Sequence, residues 1–300
     1  MSRILVTGAT GPIGRALTRI AAGEHELILA VRDPATAQGL EPSAKVIRLD
    51  LACAFDPLAL PEHVDAVVHL AQEANYRGFP ESAAAMFAVN TASTARILEW
   101  ARRAGARHFV YASSGGLYGS SDAPISEDAP LRLDGPLAYY LGTKRASEIL
   151  AEPYGAYYSV TLFRIFFAYG PGQKRDFLFP KLIRSVRAGD PIVLAGEQGL
   201  RLNPVAAPDA AQAILRSIHG AASGCQVVNL AGPGSYSLRE VGEEIGRALG
   251  VSPRFEVDRA KAPGNVVADI SKLKQLFGPP TIGLAEGLEQ WIRSGAPELN

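Results

Sequence analysis

The stretch that decides the fold is Ile4-Leu5-Val6-Thr7-Gly8-Ala9-Thr10-Gly11-Pro12-Ile13-Gly14. Its apolar, β-branched run leads into a turn with three glycines, and apolar residues then recur at helical spacing from 16 to 21. Strand, glycine turn and helix in this order are typical of a dinucleotide-binding unit. Gly8 and Gly11 let the backbone approach a pyrophosphate because no Cβ intervenes. Gly14 lets the helix lie close to the strand, so that phosphates sit at the helix N-terminus. Taken alone, the stretch is also compatible with a glycine turn that binds nothing.

The composition is that of an ordinary globular protein. The chain has 300 residues, of which 47% are apolar and 20% charged, enough for one large domain or two small ones. A net charge of zero gives no support to nucleic acid or an anionic membrane as a partner. Cys53 and Cys225 match no metal-ligand spacing, and neither do the five histidines, so we expect no metal. With no predicted signal peptide and no apolar run that spans a bilayer, we expect a cytoplasmic protein.

Short β-rich runs alternate with helical patterns along the first half of the chain. After the first helix the runs are Leu27–Val31, Lys45–Leu49, Ala66–Leu70, His108–Ala112 and Ser159–Arg164. This alternation predicts an α/β fold of the Rossmann type, a doubly wound parallel sheet with helices on both faces. Right-handed crossovers bring the carboxyl ends of all strands to one edge, where such sheets bind ligands. The strand ends near Gly8, Arg32, Asp50, Leu70 and Ser114 should therefore converge.

From Asp176 onward the rhythm becomes irregular. We predict helices over Phe177–Arg187, Asp209–Ile218 and Leu284–Arg293, and a capping box opens another at Ser237. We see no repeat and no hinge linker. Residues 1–165 are predicted to form a Rossmann cofactor-binding domain, joined by returning segments at about 203–231. Residues 166–300 are predicted to form mainly a smaller C-terminal substrate-binding lobe over the same sheet edge.

Tyr140 and Lys144 stand four residues apart in a predicted helix, 139 to 151, and so share one helix face. A free phenol has a pKa of about 10, too high for a base at neutral pH, but a nearby cation lowers it. Such a tyrosine can exchange a proton with the carbonyl or alcohol oxygen of a substrate. The pair alone could be an ordinary surface contact. Ser114 ends the preceding strand and can hydrogen-bond the same oxygen, which favours a catalytic site.

Over nearly its whole length the chain resembles the extended short-chain dehydrogenases/reductases of the NAD-dependent epimerase/dehydratase group. Residues 8–14 are similar to the glycine turn of that family, and 113–119 to its active-site serine segment. The resemblance implies a hydride-transfer enzyme in which nicotinamide carries the hydride. It implies that Tyr140 exchanges the proton, that Lys144 lowers the pKa of Tyr140 and binds the nicotinamide ribose, and that Ser114 positions the oxygen. Asn90 falls on a structural asparagine of the family, although an asparagine inside a helix is more often simply exposed.

The resemblance and the strand ends together define a set of expected cofactor contacts. They are Gly8, Thr10, Gly11, Pro12, Ile13, Gly14, Arg32, Asp33, Asp50, Leu51, Leu70, Ala71, Gln72, Asn90, Ala112, Ser113, Tyr140, Lys144, Ile165, Phe166 and Phe167. Arg32 stands where the 2′ position of the adenine ribose should fall, and an arginine there can pair with a 2′-phosphate. Alternatively, Asp33 accepts the ribose hydroxyls, as for NAD. The cofactor is therefore predicted to be NAD or NADP, with NADP favoured.

The expected substrate contacts are Ser114, Gly115, Tyr140, Phe167, Lys174, Arg175 and Arg201. The three cations could bind an anionic group such as a diphosphate or a carboxylate, and a solvated basic loop is the alternative for Lys174 and Arg175. Phe167 stands where the family often has an asparagine that holds a diphosphate, so it adds an apolar wall. Arg201 is followed by Leu202 instead of the usual aspartate.

Gly115 and Gly116 bear on the type of reaction. Related sugar-nucleotide 4,6-dehydratases carry Asp and Glu at these two places, whereas glycines have no side chain to handle protons. We therefore predict an NAD(P)-dependent epimerase or oxidoreductase acting at a carbonyl or alcohol carbon of a sugar or sugar nucleotide. The alternatives are an NADP-linked ketoreductase on a non-nucleotide carbonyl and a non-catalytic, cofactor-sensing regulatory protein. The resemblance further implies a homodimer formed through the helices that contain Asn90 and Tyr140.

Overall fold

The computed structural model describes residues 1–220, 223–296 and 299. Its strands are β1 (Arg3–Thr7), β2 (Glu26–Val31), β3 (Lys45–Arg48), β4 (Ala66–His69), β5 (His108–Ser114), β6 (Ser159–Ile165), β7 (Pro191–Ala195), β8 (Arg201–Leu202), β9 (Cys225–Leu230), β10 (Tyr236–Ser237) and β11 (Arg254–Asp258). Its α-helices are α1 (Pro12–Ala21), α2 (Ala83–Met86), α3 (Ser93–Arg103), α4 (Ala138–Ala151), α5 (Leu178–Ala188), α6 (Ala207–His219), α7 (Leu238–Leu249), α8 (Ser271–Phe277) and α9 (Leu284–Arg293). The predicted strands and helices agree with these to within a few residues at each end.

Seven strands form one parallel sheet in the order β3-β2-β1-β4-β5-β6-β9. The chain runs outward from β1 to β3 and then crosses back to β4, so the order reverses between β1 and β4. A reversal of this kind opens a crevice at the carboxyl edge of the sheet, where ligands of such folds bind. The predicted Rossmann-type fold is confirmed.

Both faces of this sheet are covered. Ile4 and Val6 belong to one buried cluster with α1, α6 and α8, whereas Leu5 and Val67 belong to another with α3. Strands that are buried on both faces need apolar residues at successive positions instead of alternating ones. This requirement explains the continuous apolar runs from which the strands were predicted.

The long helical stretch that precedes β5 contains a π-helical segment. It lies between α2 and α3 and spans Phe87–Ala92, and such segments occur frequently at functional sites. Within it, Asn90 is only 1% exposed. The expectation that a mid-helix asparagine is simply exposed is therefore wrong, because the amide of Asn90 is held in a buried hydrogen-bond network.

The last third of the chain contributes to two regions. β9 pairs with β6 in the main sheet, and Phe277 of α8 packs against Phe163 on the same sheet. The remaining elements, α5, α7 and α9 with two small sheets, surround a separate buried cluster. β11 and α8 lie outside the elements predicted from the sequence. The division into a cofactor domain and a substrate lobe stays a prediction.

Within the described ranges, no helix is both long and apolar enough to cross a membrane. The cytoplasmic location stays a prediction.

Candidate active site

The glycine turn between β1 and α1 is built by close backbone approach. Gly8 has φ +72°, and a Cβ there would lie 2.7 Å from the amide nitrogen of Ala71. A Cβ on Gly14 would lie 2.5 Å from the Cα of Ala9. These contacts leave no room for a side chain at either position. Gly8 thus brings the turn against the end of β4, a contact that the sequence analysis did not predict, and Gly14 allows the close approach of α1 that it did predict.

This turn fits the phosphates of a dinucleotide. Gly11 is the N-cap of α1 and has no side chain to bond the first amide groups, and the first turn carries no acidic residue. A Cβ on Gly11 would come no closer than 3.5 Å to another residue, the carbonyl oxygen of Gly8. Uncapped amide groups and the helix dipole favour an anion at this point. Arg15 adds a cation here, and its Nε donates to the carbonyl of Thr10 at 2.8 Å; the sequence analysis missed this residue.

Ser114, Tyr140 and Lys144 come together at the carboxyl end of β5. The Tyr140 side chain is 8% exposed, and its hydroxyl donates to Oε1 of Gln72 at 3.0 Å. Nζ of Lys144 donates to the carbonyl of Ala112 at 2.8 Å and lies 5.9 Å from the centre of the Tyr140 ring. The Ser114 hydroxyl is half-buried and accepts a hydrogen bond from the amide of Gly116 at 3.2 Å.

The acidity of the two titratable groups is set mainly by burial. Burial raises the pKa of Tyr140 above its usual value, and the nearby Tyr76 raises it further, whereas Ser114 and Arg77 lower it. Burial lowers the pKa of Lys144 to about 7, opposed by the negative charge of Glu148. The expected lowering of the Tyr140 pKa by Lys144 is not seen in this arrangement, because the Lys144 ammonium bonds to a backbone carbonyl and is itself desolvated.

A buried ionic network joins α4, the helix that carries Tyr140 and Lys144, to β5 and β6. Arg164 of β6 makes two hydrogen bonds to Glu148 of α4, at 2.8 and 3.0 Å, and donates to the hydroxyl of Tyr118 at 2.8 Å. Ser113 donates to the same carboxylate at 2.6 Å. Burial disfavours a charged Glu148, but the bonds from Arg164 and Ser113 outweigh it and hold the pKa of Glu148 below its usual value. Glu148 lies one helical turn beyond Lys144 and was not singled out by sequence analysis, although the spacing Tyr140, Lys144, Glu148 is visible there.

The other expected cofactor contacts differ in their exposure and in the hydrogen bonds that their side chains already make. Arg32 and Asp33 follow β2 and are exposed, and Oδ1 of Asp33 accepts a hydrogen bond from the amide of Ala35 at 3.0 Å. Asp50 accepts one from the amide of Ala52 at 3.0 Å, and Leu51 beside it is buried. Thr10, Pro12, Leu70 and Ile165 are half-buried, and Ile13 is buried.

The side chains of two expected cofactor contacts, Ser113 and Phe166, interact with other parts of the protein. The Ser113 hydroxyl is committed to Glu148, and the Phe166 ring is 1% exposed in the core, stacked on Tyr118 at 6.1 Å. The Ser113 side chain is turned toward α4, and the Phe166 ring packs in the buried cluster that includes α1, α6 and α8. Phe167 is half-buried and is the one non-glycine residue with positive φ, +46°, in the described ranges.

The cations expected to bind substrate are not equivalent. Lys174 and Arg175 are exposed. Arg201 donates to the carbonyl of Ser235 at 3.0 Å and lies 3.7 Å from the carboxylate of Glu240. A partnered guanidinium is a weaker anion site than a free one, so the structure does not place Arg201 as an unpaired cation. Gly115 is buried, and a Cβ there would lie 2.5 Å from the Phe166 ring.

An aromatic group beside Tyr140 was not anticipated. The Tyr76 ring packs on that of Tyr140 at 4.8 Å and on that of Phe177 at 5.4 Å. The guanidinium of Arg77 lies 5.1 Å from the centre of the Tyr76 ring. The loop after β4 carries no local pattern that would have indicated this contact. Groups of three or more His, Cys, Asp or Glu suited to a metal ion are absent from the part of the chain that the structure describes.

The sequence matches a family model. Residues 4–231 match the model of the NAD dependent epimerase/dehydratase family. This chain belongs to that family, and the expectation of an enzyme of the extended short-chain dehydrogenase/reductase type is confirmed.

Individual relatives agree with this membership. The chain is 29% identical over 235 residues to UDP-glucuronate 4-epimerase of Thermodesulfobacterium geofontis, covering 76% of this chain and 72% of the relative. It is similar to the structure of MoeE5 in complex with UDP-glucuronic acid and NAD, with TM-score 0.82, 29% identity and coverage of 98% and 99% of the two chains. It is also similar to UDP-glucuronic acid 4-epimerase from Bacillus cereus in complex with UDP-glucuronic acid and NAD, with TM-score 0.84, 25% identity and coverage of 97% and 99%. These solved relatives hold NAD, so they do not support the preference for NADP.

Proposed function

We propose that this protein is a sugar-nucleotide epimerase that inverts a hydroxyl-bearing carbon through a transient ketone. The observation that carries the proposal is the meeting of Ser114, Tyr140 and Lys144 beside the glycine turn. The similarity to two UDP-glucuronate 4-epimerases supports it and makes a UDP-sugar the first substrate to test. A non-catalytic sensor would need none of the three side chains.

The chain's own residues supply the acid–base part of this reaction. NAD held by the glycine turn would supply the hydride acceptor and donor for this reaction. Tyr140 accepts the proton of the substrate hydroxyl during oxidation and gives it back during reduction. Ser114 hydrogen-bonds the same oxygen and holds it in place. Lys144 can hold a ribose hydroxyl of the cofactor, and its low pKa makes its charge sensitive to what binds there.

The two glycines after Ser114 argue against elimination of water. Loss of water needs an acid and a base in addition to Tyr140, and Gly115 and Gly116 offer neither. Oxidation and reduction at one carbon need only the three residues and the nicotinamide. Epimerisation is therefore favoured over dehydration within this family.

A ketoreductase on a less polar carbonyl is the second candidate. Phe167 stands at a predicted substrate position, and Tyr76 and Phe177 add aromatic surface next to Tyr140. An epimerase keeps its cofactor in the same redox state over a cycle, whereas a reductase consumes one NADPH for each ketone. Net loss of NADPH absorbance therefore distinguishes the two.

We propose NAD as the cofactor, held by the glycine turn and by the ends of β2 and β4. The NAD complexes of the two solved relatives support this choice. Asp33 keeps a second carboxylate oxygen that can accept a ribose hydroxyl, in addition to the oxygen bonded to Ala35. Arg32, which is exposed, then lies over the adenine instead of pairing with a phosphate.

We propose a homodimer formed through the helix face that contains Thr91 and Tyr139. Phe79 and Phe87 are 52% and 53% exposed beside this face. They border an apolar groove between α4 and the π-helical segment, lined also by Gly142 and Thr143. Large exposed apolar side chains grouped in this way mark protein interfaces, and a second copy of this chain is the occupant that the family resemblance implies.

The test incubates the NAD-loaded protein with UDP-glucuronic acid or UDP-glucose and follows the epimer by chromatography. We expect interconversion with no net change in NADH absorbance. Tyr140→Phe should lower turnover by about 10²–10⁴-fold, the usual worth of a positioned acid–base group. Tyr139→Phe is the matched control, because the Tyr139 hydroxyl bonds only the carbonyl of Ala83 in the described structure. Full turnover by Tyr140→Phe, or accumulation of a dehydrated 4-keto-6-deoxy sugar, would contradict the proposal.

A further inference from the structure

The carboxamide of Gln72 accepts a hydrogen bond from the Tyr140 hydroxyl. This hydroxyl is the group that must contact the substrate oxygen. The phenol donates to Oε1 of Gln72 at 3.0 Å, and both side chains are at least half-buried. The resting site thus already contains one acceptor for the Tyr140 hydrogen. A substrate carbonyl has to take over that hydrogen bond before a proton can pass.

Hydrogen bonds of the backbone on both sides of Gln72 hold this residue next to Tyr140. The amide of Ala71 donates to the Thr7 hydroxyl at 3.3 Å, and the amide of Glu73 donates to Oδ1 of Asn90 at 2.8 Å. Gln72 is therefore fixed between two anchored neighbours.

Asn90 also fixes the helix that carries Tyr140. Its amide nitrogen donates to the Thr143 hydroxyl at 2.9 Å, and that hydroxyl donates to the Tyr140 carbonyl at 2.7 Å. One buried asparagine thus holds the loop of Gln72 and the helix α4 in register. Asn90 makes both contacts from within the π-helical segment.

A carboxamide suits a partner that changes its protonation state. Its end carries an acceptor oxygen and a donor NH₂ group, and a half-turn of the last torsion exchanges them. We propose that Gln72 is a positioning residue for Tyr140: it accepts the hydrogen of the resting phenol, and it turns to donate an N–H to the phenolic oxygen once a substrate oxygen takes that hydrogen. The inference rests on the proposed acid–base role of Tyr140.

The two orientations act on Tyr140 in opposite directions. An acceptor for the phenol hydrogen favours the neutral form, whereas a donor to the phenolic oxygen favours the phenolate. Substrate binding therefore lowers the pKa of Tyr140 through Gln72, which raises the fraction of phenolate that can take up the proton of the substrate hydroxyl. The other groups that face Tyr140 are Tyr76 and Arg77 from the loop after β4, Tyr111 and Ser114 from β5, and Lys144 from α4. The Gln72 variants leave all five in place.

The first test compares pH profiles of wild type, Gln72→Met and Gln72→Glu in the epimerisation of UDP-glucuronic acid with saturating NAD. The profile of kcat/KM reports the free enzyme, and that of kcat reports the substrate complex. In Gln72→Met the acidic limb, which reflects deprotonation of Tyr140, should move to lower pH in kcat/KM and to higher pH in kcat, each by about half a unit to one unit. Gln72→Glu offers only acceptors and a negative charge, so both profiles should move to higher pH.

Gln226→Met is the matched control. Gln226 lies at the start of β9, at the opposite edge of the sheet, and makes a comparable hydrogen bond, 3.2 Å to Thr161. Its loss should leave both profiles at their wild-type positions. Superimposable profiles for wild type and both Gln72 variants would overturn the proposal, because a purely structural role does not shift the two profiles in opposite directions.

A second measurement needs no substrate. In NAD-loaded protein with ¹³Cζ-labelled tyrosine, the Tyr140 signal is the one lost in Tyr140→Phe. On raising the pH, this signal should begin to move toward the phenolate position earlier in Gln72→Met than in wild type, and later in Gln72→Glu. Equal behaviour of all three proteins would overturn the proposal even if UDP-glucuronic acid is not turned over.

The two measurements also separate this inference from the proposed function. If Tyr140→Phe keeps full turnover, the acid–base role fails, whatever Gln72 does. If Tyr140→Phe is inactive while the Gln72 variants titrate like wild type, only the role of Gln72 fails. Melting temperatures confirm that each variant is folded, and Gln72→Glu, the closest in shape, carries the test if Gln72→Met does not fold.

Discussion

Replacing Gly14 by alanine tests the close approach on which the cofactor turn depends. In the helix interior this exchange alone would stabilise the protein by up to about 1 kcal/mol, because alanine is the better helix former. At Gly14, however, the added Cβ would lie 2.5 Å from the Cα and 2.7 Å from the carbonyl carbon of Ala9. Favourable carbon–carbon contacts lie at about 3.5–4.0 Å, so the overlap is about 1 Å and involves backbone atoms that cannot rotate away.

The cost can be estimated for folding and for binding separately. Overpacking of this kind costs about 1–3 kcal/mol, or more where the backbone must shift, which leaves Gly14→Ala about 0–2 kcal/mol less stable after a helix gain of about 1 kcal/mol. A shift of α1 also moves the amide groups that would bind phosphate. A lost hydrogen bond to a charged group is worth about 1.5–3 kcal/mol, so the affinity for NAD should fall by about 10–100-fold.

Gly142→Ala makes the same exchange in α4, where no atom outside the helix lies within 4 Å of the added Cβ. It should raise the unfolding free energy by about 0.5–1 kcal/mol and leave NAD affinity unchanged. Urea unfolding gives the stabilities, and calorimetric titration gives the affinities. Because Gly142 lies in the proposed dimer face, both variants are compared at one low protein concentration. Wild-type stability together with wild-type NAD affinity in Gly14→Ala would refute the reasoning.

Two further predictions concern the cofactor and the oligomer. Titration should show tighter binding of NAD than of NADP. Arg32→Ala should change the affinity for NAD by less than about threefold. A preference of the wild type for NADP that is lost in Arg32→Ala would instead show that Arg32 binds a 2′-phosphate. Light scattering should give a dimer for the wild type and a monomer for Phe87→Lys, because a charge in the apolar groove is costly to bury, and Leu58→Lys, on a site 89% exposed, is the control. A monomeric wild type, or a dimeric Phe87→Lys, would contradict the helix-face interface.

Local patterns in the sequence predicted those parts of the molecule that depend on near neighbours. The strands of the main sheet are buried on both faces, so each appears as an apolar run. The capping box at Ser237 predicted the start of α7, and both of its hydrogen bonds are present. Tyr140 and Lys144 are one helical turn apart, so their common face follows from spacing alone. β11 was missed because none of its residues is fully buried, so it shows no apolar run. α8 was missed because its seven residues are too few to show a helical period.

Contacts between distant residues could not be predicted in the same way. Gln72 meets Tyr140 across 68 residues, and Asn90 meets Thr143 across 53. Spacing within the chain carries no information on such pairs, since they arise only after β4 and β5 are adjacent in the sheet. The expected lowering of the Tyr140 pKa by Lys144 is not seen for a related reason. Helical spacing places the two side chains on one face, but it does not determine which acceptor the Lys144 ammonium bonds, and here that acceptor is the Ala112 carbonyl.

The end of β6 links the packing of the core to the chemistry that we propose. The Phe166 ring lies where a side chain on Gly115 would have to be, 2.5 Å from the position of its Cβ. An acidic residue after Ser114 would therefore require that the buried ring move, at the cost of a cavity or an unpaired charge in the core. The next residue, Phe167, leaves the strand in the left-handed conformation and packs against both the core of the sheet and that of the C-terminal elements. For a bulky residue this backbone costs about 1–3 kcal/mol and persists only where the surroundings fix it. The absence of a side chain at Gly115 and the apolar surface of Phe167 are thus two results of the packing at the end of β6, and the first of them favours oxidation and reduction at one carbon over elimination.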